Sequence, residues 1–186
     1  MNAVQKPPRR YWHEPRALAL WLLCLLLVLW RVYHASVVDA APELLEEGIY
    51  EVRRVIDGDT LLLSSGARLR LQGIDTPETV REDYPIEAWG PEARKFTSDF
   101  VDRAGRRVRL TFGLERKDRH ERFLAFVWHG DAMLNEELVR AGLAHAWLGY
   151  RYSGTMKRRL ERAQDEARRA GRGIWSNSAT LKSNSP

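Results

Sequence analysis

Short apolar stretches follow one another closely between residues 50 and 74, and their spacing restricts what this chain can fold into. They read YEVRRVI over 50–56, TLLL over 60–63 and ARLRLQGI over 67–74. Stretches of this length, rich in Val, Ile and Leu and separated by Asp, Gly and Ser, are typical of strands joined by tight turns. We predict that the three strands pair as hairpins, with SSG at 64–66 as one of the turns.

Two more strands and three helices are predicted downstream. The strands are RRVRLTFGLE at 106–115 and RFLAFVWH at 122–129. One helix begins near Pro91 and ends at Gly105, a second closes at Gly142, and the last covers about 156–170 with apolar residues at helical spacing. Five short strands with helices between and after them predict an α+β fold, a five-stranded barrel of the oligonucleotide-binding (OB) type with about three helices.

The N-terminus carries a separate apolar segment. Residues 17–30 are uninterrupted apolar residues that follow a basic flank. Fourteen residues fit the core of a cleaved signal peptide, with a weak small-x-small site at 38–40. The apolar character continues to Val38, however, which favours an uncleaved membrane anchor. A buried core helix is the third reading. In the first two readings the basic flank stays inside and the domain is exported.

These features divide the chain into five parts. We predict a basic flank at 1–16, a hydrophobic helix at 17–38, a linker at 39–47, a folded domain at 48–176 and a polar tail at 177–186. The formal net charge is +5 and the pI about 9.6, a balance that favours polyanionic partners such as nucleic acid. Cys24 is the single cysteine, so neither an intrachain disulfide nor a cysteine metal site can form.

Charged residues cluster at the predicted strand ends. They are Asp57, Asp59, Arg70, Asp75, Glu78, Asp118 and Arg122. Each has an ordinary structural explanation, because Asp-Gly-Asp and Asp-Thr-Pro-Glu are common turn sequences and surface arginines usually form weak ion pairs. Taken together, carboxylates suit a hard cation such as Ca²⁺ or Mg²⁺, and the arginine fork suits phosphate. The set therefore favours metal-assisted hydrolysis of a phosphodiester.

A sequence of motifs resembles the staphylococcal nuclease (thermonuclease) family. IDGDT, RLQGIDTPET, WGPEA, DRHERFLAFV, LNEELVRAGLA and GIW occur in the family's order, from about Gly48 to Trp175. The resemblance implies a Ca²⁺-dependent nuclease on an OB fold that cuts DNA and RNA with little sequence preference. The resemblance implies no obligate protein partner, so we expect a monomer. We expect its N-terminal segment to attach it to the membrane.

The resemblance also implies roles for individual residues. For the metal, it implies Asp59 and Asp75 as carboxylate ligands of Ca²⁺ and Thr76 as a ligand through its backbone carbonyl. Asp57 matches a second acidic position near the metal.

For catalysis, the resemblance implies that Glu78 is the general base that activates the attacking water. Arg70 and Arg122 match the two arginines that hold the scissile phosphate and neutralise charge in the transition state.

Two departures from the family pattern leave an alternative open. Glu121 stands where the family usually has a glycine before the second arginine, and glycine in such a turn often has a positive φ. The loop after Glu78 carries Glu82, Asp83 and Glu87 where some members are rich in lysine. The alternative function is a non-catalytic nucleic-acid-binding module.

Overall fold

The apolar N-terminal run lies in helix α1, Pro15–Val38, which has 24 residues. A computed structural model describes residues 15–38, 42–79 and 87–176. It divides the chain into two compact units, Met1–Ala40 and Ala41–Pro186. Among the helices in the described ranges, none combines the length and the apolar character that crossing a membrane requires. The predicted polar tail and most of the predicted basic flank lie outside the described residues.

The second unit contains a closed barrel with short added strands. In chain order the strands are β1 Gly48–Asp57, β2 Thr60–Leu63, β3 Arg68–Leu71, β4 Ile74–Asp75, β5 Arg107–Lys117, β6 Phe123–His129, β7 Ala132–Met133 and β8 His145–Ala146. The barrel order is β3-β2-β1-β5-β6, and a parallel pairing of β3 with β6 closes it. The predicted five-stranded barrel is confirmed, with β7 extending the β6 edge.

Three helices pack with the barrel in this unit, as predicted. They are α2 Gly90–Arg103, α3 Leu134–Arg140 and α4 Gly154–Arg169, and a single 3₁₀ turn follows at Gly173–Trp175. α4 begins two residues before the predicted start, because the Ser153 side chain accepts a hydrogen bond from the Met156 amide and caps the helix. Gly105 and Gly142 have positive φ just beyond α2 and α3, as expected at helix ends.

Large aliphatic side chains fill the barrel. The inner faces of the strands and the apolar stripes of α3 and α4 contribute fully buried residues, among them Val52, Leu61, Leu69, Leu110, Leu124, Leu138 and Leu160. Burying such side chains stabilises the fold by about 1.5–3 kcal/mol each before chain entropy is counted. The core gives the strand ends a rigid frame, and the candidate site lies at those ends.

The predicted strand at 67–74 is wrong as a single element. It is divided at Gly73, which has φ +79°, a left-handed conformation that favours glycine. A Cβ at Gly73 would also come within 2.8 Å of a Leu160 methyl group. After this break, Ile74 and Asp75 leave the barrel and pair with β8. The break therefore releases Asp75 from the barrel wall and places it at the rim.

Candidate active site

The turn between β1 and β2 carries the first two acidic residues. Asp57 pairs with Thr60, so Gly58 and Asp59 form the turn between them. A Cβ at Gly58 would lie 2.8 Å from Thr76 Oγ1 and 2.9 Å from the Ala93 side chain. Only glycine lets the turn pack this closely, and Asp57 and Asp59 are both buried as a result.

Asp59 is the most enclosed charged residue in the site, with 2% of its surface exposed. Its carboxylate forms an ion pair with Arg70 and accepts hydrogen bonds from the Thr76 amide at 3.1 Å and the Thr60 hydroxyl at 3.0 Å. Burial raises the pKa of Asp59, while the charge of Arg70 and these hydrogen bonds oppose the rise. The side chain is held in one position by groups on three different segments.

Arg70 lies between two carboxylates. One end of its guanidinium contacts Asp59, and Nη2 contacts Asp75 Oδ1 at 2.5 Å. Burial works against the charged form, but Asp59 and Asp75 outweigh it and raise the pKa of Arg70. In the described part of the chain, Arg70 Nε is buried and has no hydrogen-bond partner. An unpaired buried donor of this kind is energetically costly.

Arg70 and Arg122 line the same cavity, which has a volume of about 440 Å³. The cavity opens at the barrel rim, and its lining residues come from three segments of the chain: Arg70, Ile74, Asp75, Glu115, Asp118, Arg119, His120, Arg122, Trp147 and Tyr150. The lining contains three arginines and three acidic residues, and guanidinium groups beside a cavity suit a bound phosphodiester. The arginines that the sequence predicted to act together are therefore brought together.

Asp118 holds Arg122 in place. Asp118 Oδ2 accepts from Arg122 Nε at 2.7 Å, and Oδ1 accepts from the backbone amides of Arg122 and His120 at 3.0 and 2.8 Å. Burial alone would raise the pKa of Asp118, but these hydrogen bonds outweigh it and lower the pKa. Asp118 was among the charged residues at the strand ends, but its sequence context indicated no role for it. The sequence signal that could have indicated this role is the position of Asp118 four residues before Arg122, in a tight turn.

Glu121 occupies the backbone conformation expected for the family's glycine. Its φ is +60°, which is uncommon for a residue with a side chain. The side chain is 81% exposed, and its carboxylate pairs with Lys117 Nζ at 3.1 Å. The negative charge of Glu121 is thus partly balanced by Lys117, and Arg122 still reaches the cavity.

Glu78 lies beside the two buried aspartates rather than in the lining of the cavity. Partial burial, followed by the negative charges of Asp57 and Asp59, raises the pKa of Glu78, and Arg70 opposes the rise. A raised pKa makes a carboxylate a stronger base near neutral pH. Glu78 thus has the electrostatic surroundings of a base.

Thr79 anchors the segment that carries Glu78, a role that was not predicted from the sequence. Its hydroxyl donates to Asp57 Oδ1 at 2.5 Å and its amide donates to Asp57 Oδ2 at 3.3 Å. Glu87 Oε2 also accepts from the Glu78 amide at 3.1 Å. Residues 80–86 of the acidic loop, with Glu82 and Asp83, lie outside the described residues. Nothing in the sequence signals a contact between residues 22 positions apart.

The residues predicted to bind a metal lie close together. Asp59 and Asp75 converge on one positively charged group, since both contact the Arg70 guanidinium. Within residues 15–38, 42–79 and 87–176, no group of three or more His, Cys, Asp or Glu side chains is placed to hold a metal. Two carboxylates, a backbone carbonyl and water still fit Ca²⁺, which accepts all three kinds of oxygen.

Comparisons with known proteins agree with this geometry. The family model described as staphylococcal nuclease homologue matches residues 68–177, a range that begins after Asp57 and Asp59. A thermonuclease from Staphylococcus hyicus is 42% identical over 134 residues, covering 70% of this chain and 78% of the relative. A thermonuclease from Staphylococcus intermedius is 41% identical over 129 residues, covering 68% and 75%. An uncharacterized endonuclease from Haemophilus influenzae is 32% identical over 141 residues, covering 74% and 71%.

Proposed function

The chain belongs to the staphylococcal nuclease family, and we propose that it is a Ca²⁺-dependent nuclease that cleaves DNA and RNA with little sequence preference. Family membership makes it a hydrolase of phosphodiester bonds. The observation that carries the finer proposal is the placement of Arg70, which contacts Asp59 and Asp75 and faces the cavity that Arg122 also lines.

The arginines bind and polarise the phosphate. Arg70 lines the cavity, and Asp118 holds Arg122 Nε, which leaves the two Nη groups of Arg122 for the substrate. Attack on a phosphodiester concentrates negative charge on the nonbridging oxygens, and positioned donors stabilise it. Losing one such donor typically costs about 10²–10³ in rate.

Glu78 takes the proton of the attacking water. Its raised pKa suits proton abstraction, and Asp57 orients its segment through Thr79. Asp59, Asp75 and the Thr76 carbonyl would hold the Ca²⁺. The ion would neutralise charge on the phosphate and help to orient the water. Contacts to the backbone phosphate and to no base edge would explain low sequence preference.

A digestion assay tests this proposal. The purified full chain is incubated with single-stranded DNA, duplex DNA and RNA in Ca²⁺, in Mg²⁺ and in chelator. We expect cleavage of all three in Ca²⁺, and a loss of about 10²–10⁴ in kcat for Glu78→Gln, the range of general-base catalysis. Glu161→Gln, the same chemical change on the exposed face of α4, is the matched control and keeps full activity. Unchanged turnover in Glu78→Gln would remove Glu78 from the mechanism.

The alternative is the non-catalytic binding module. One observation favours it: Glu121 places a carboxylate in the turn that presents Arg122. The same assay decides, because intact nucleic acid under every condition, from folded protein that still binds DNA, would establish the alternative.

We further propose that the domain is exported and that the chain acts as a monomer. The support for export is the apolar segment at 17–30 behind a basic flank. Export leaves the segment either as a cleaved signal peptide or as an uncleaved membrane anchor. N-terminal sequencing of the mature protein distinguishes them, because a cleaved signal gives a new N-terminus near residue 41 and an anchor leaves Met1 or Asn2. Sedimentation equilibrium checks the monomer.

A further inference from the structure

A group of exposed arginines crosses β1 and β5 away from the cavity-lining residues. Residues 51–54 and 102–109 together contain six arginines and two carboxylates, Glu51 and Asp102. Four of the arginines have exposed side chains on these two strands, and we name them the arginine ladder: Arg53, Arg54, Arg107 and Arg109. Their concentration on paired strands makes this surface more basic than the chain as a whole.

Pairing and a bulge bring the ladder onto one face. Glu51 pairs with Arg107, and Ile49 with Arg109, so these alternate residues share the outer face of the barrel. The register shift between Val52 and Arg54 is a β-bulge. Two residues then oppose one partner, which explains why Arg53 and Arg54 are both exposed instead of alternating.

Arg106 stiffens the backbone beneath the ladder. It has a positive φ of +61°, and its side chain donates from Nε to the Val52 carbonyl at 3.0 Å and from Nη2 to the Arg53 carbonyl at 2.5 Å. This arginine therefore serves the fold and ties the start of β5 to the bulge. The strained conformation is offset by these two hydrogen bonds.

The ladder arginines keep their charge for an external partner. Within the described residues none of the four forms an ion pair with a carboxylate, and Arg109 stacks over the Trp128 ring at 5.0 Å. By contrast, α4 Arg159 and α3 Arg140 are paired with Glu136. Arginines two residues apart on a strand are separated by about 6.6 Å. Each strand of duplex DNA carries one phosphate per about 3.4 Å of helix axis, so closely spaced cations face a dense row of negative charge.

We propose that the arginine ladder is a second nucleic-acid contact surface, which binds the phosphate backbone of long DNA outside the cleavage cavity. The proposal rests on the proposed nuclease function for its biological use. Long nucleic acids would bind this surface in addition to the cavity, whereas a dinucleotide is too short to reach it. Because phosphate contacts release counterions, the affinity gained in this way falls as salt rises.

Binding is measured first, without cleavage. The full chain is kept in a non-ionic detergent because α1 exposes apolar side chains. Fluorescence anisotropy of a labelled duplex is followed in chelator for the wild type and for Arg53→Gln/Arg54→Gln/Arg107→Gln. The slope of log affinity against log salt concentration should be smaller in magnitude by about 2.7 when three phosphate contacts are lost. Between about 50 and 200 mM salt, the affinity of the wild type should therefore fall about 40-fold more than that of the variant.

The matched control removes the same charge elsewhere. Arg158→Gln/Arg162→Gln/Arg169→Gln on the exposed face of α4 should keep the wild-type slope. Equal losses in both triple variants would show that only net charge matters and would overturn the proposal. An unchanged slope in the ladder variant would overturn it as well. Thermal melts confirm that both variants are folded.

Cleavage then separates this proposal from the proposed function. The ladder variant should hydrolyse a dinucleoside phosphate at the wild-type rate and show a raised KM for plasmid DNA. If the wild type cleaves neither substrate, the proposed nuclease function is wrong. The anisotropy measurement still shows whether the arginine ladder binds DNA. If the variant also loses dinucleotide cleavage while folded, the ladder is not a separate surface.

Discussion

Replacing Gly58 by alanine adds one methyl group at the closest packing point of the candidate active site. The new Cβ would lie 2.8 Å from Thr76 Oγ1, 2.9 Å from the Ala93 Cβ and 3.0 Å from the Thr76 Cβ. All three atoms belong to buried residues, so neither neighbour can turn away into solvent. The turn that carries Asp57 and Asp59 must therefore move away from the segment that carries Thr76.

The expected costs differ for stability and for activity. Overpacking a buried site costs about 1–3 kcal/mol. For a chain of this size that lowers Tm by about 2–12 °C. A displacement of even 1 Å between catalytic groups can cost about 10²-fold in rate. We therefore expect Gly58→Ala to remain folded at 25 °C and to lose about 10²-fold in kcat, more than its stability alone would explain.

Differential scanning calorimetry and the digestion assay in Ca²⁺ measure both effects. Gly48→Ala is the matched control, because its Cβ would meet only a Tyr50 ring atom at 3.8 Å, an ordinary contact. In the double variant Gly58→Ala/Ala93→Gly, activity should recover in part while Tm stays low, since glycine inside α2 costs about 1 kcal/mol. Wild-type Tm and kcat in Gly58→Ala would refute the packing argument.

Three further changes test the supporting residues. Hydrogen bonds lower the pKa of Asp118 in the folded state, so its stabilising effect is present above about pH 4 and is lost as the pH falls through the lowered pKa. Asp118→Asn should lower the free energy of unfolding in urea at neutral pH, by a margin that narrows below about pH 4; a constant margin would contradict the linkage. Glu121→Gly relieves about 1–2 kcal/mol of strain in the left-handed backbone, but glycine also makes the unfolded state about 0.5–1 kcal/mol more favourable. Unfolding in urea should therefore show a small gain in stability. Cleavage should also be faster if the Glu121 carboxylate opposes phosphate binding. Thr79→Val should lower kcat and leave KM for DNA nearly unchanged while Thr79→Ser keeps activity, and equal kinetics in both variants would exclude a positioning role.

Much of the fold could be predicted because its signals are local. The five barrel strands, the glycines that end α2 and α3, and the left-handed turn before Arg122 all follow from residues that are neighbours in the chain. The prediction failed at Gly73, where the apolar pattern continues but the backbone turns. That turn depends on the packing of Leu160 and Tyr152 against Gly73, a contact with a distant helix that no local pattern carries.

The candidate site was predicted as a set of residue types at characteristic spacings, and their assigned roles stay predictions. The sequence by itself determined which residues carry the charges, and it predicted that Arg70 and Arg122 act on the same phosphate. Only the tertiary structure decided that Arg70 lies between Asp59 and Asp75, that Thr79 holds Asp57, and that the ladder arginines share a face. The physical reason is that sequence sets local conformation and charge, whereas closure of the barrel through β3 and β6 sets the distances and the burial on which electrostatics depends.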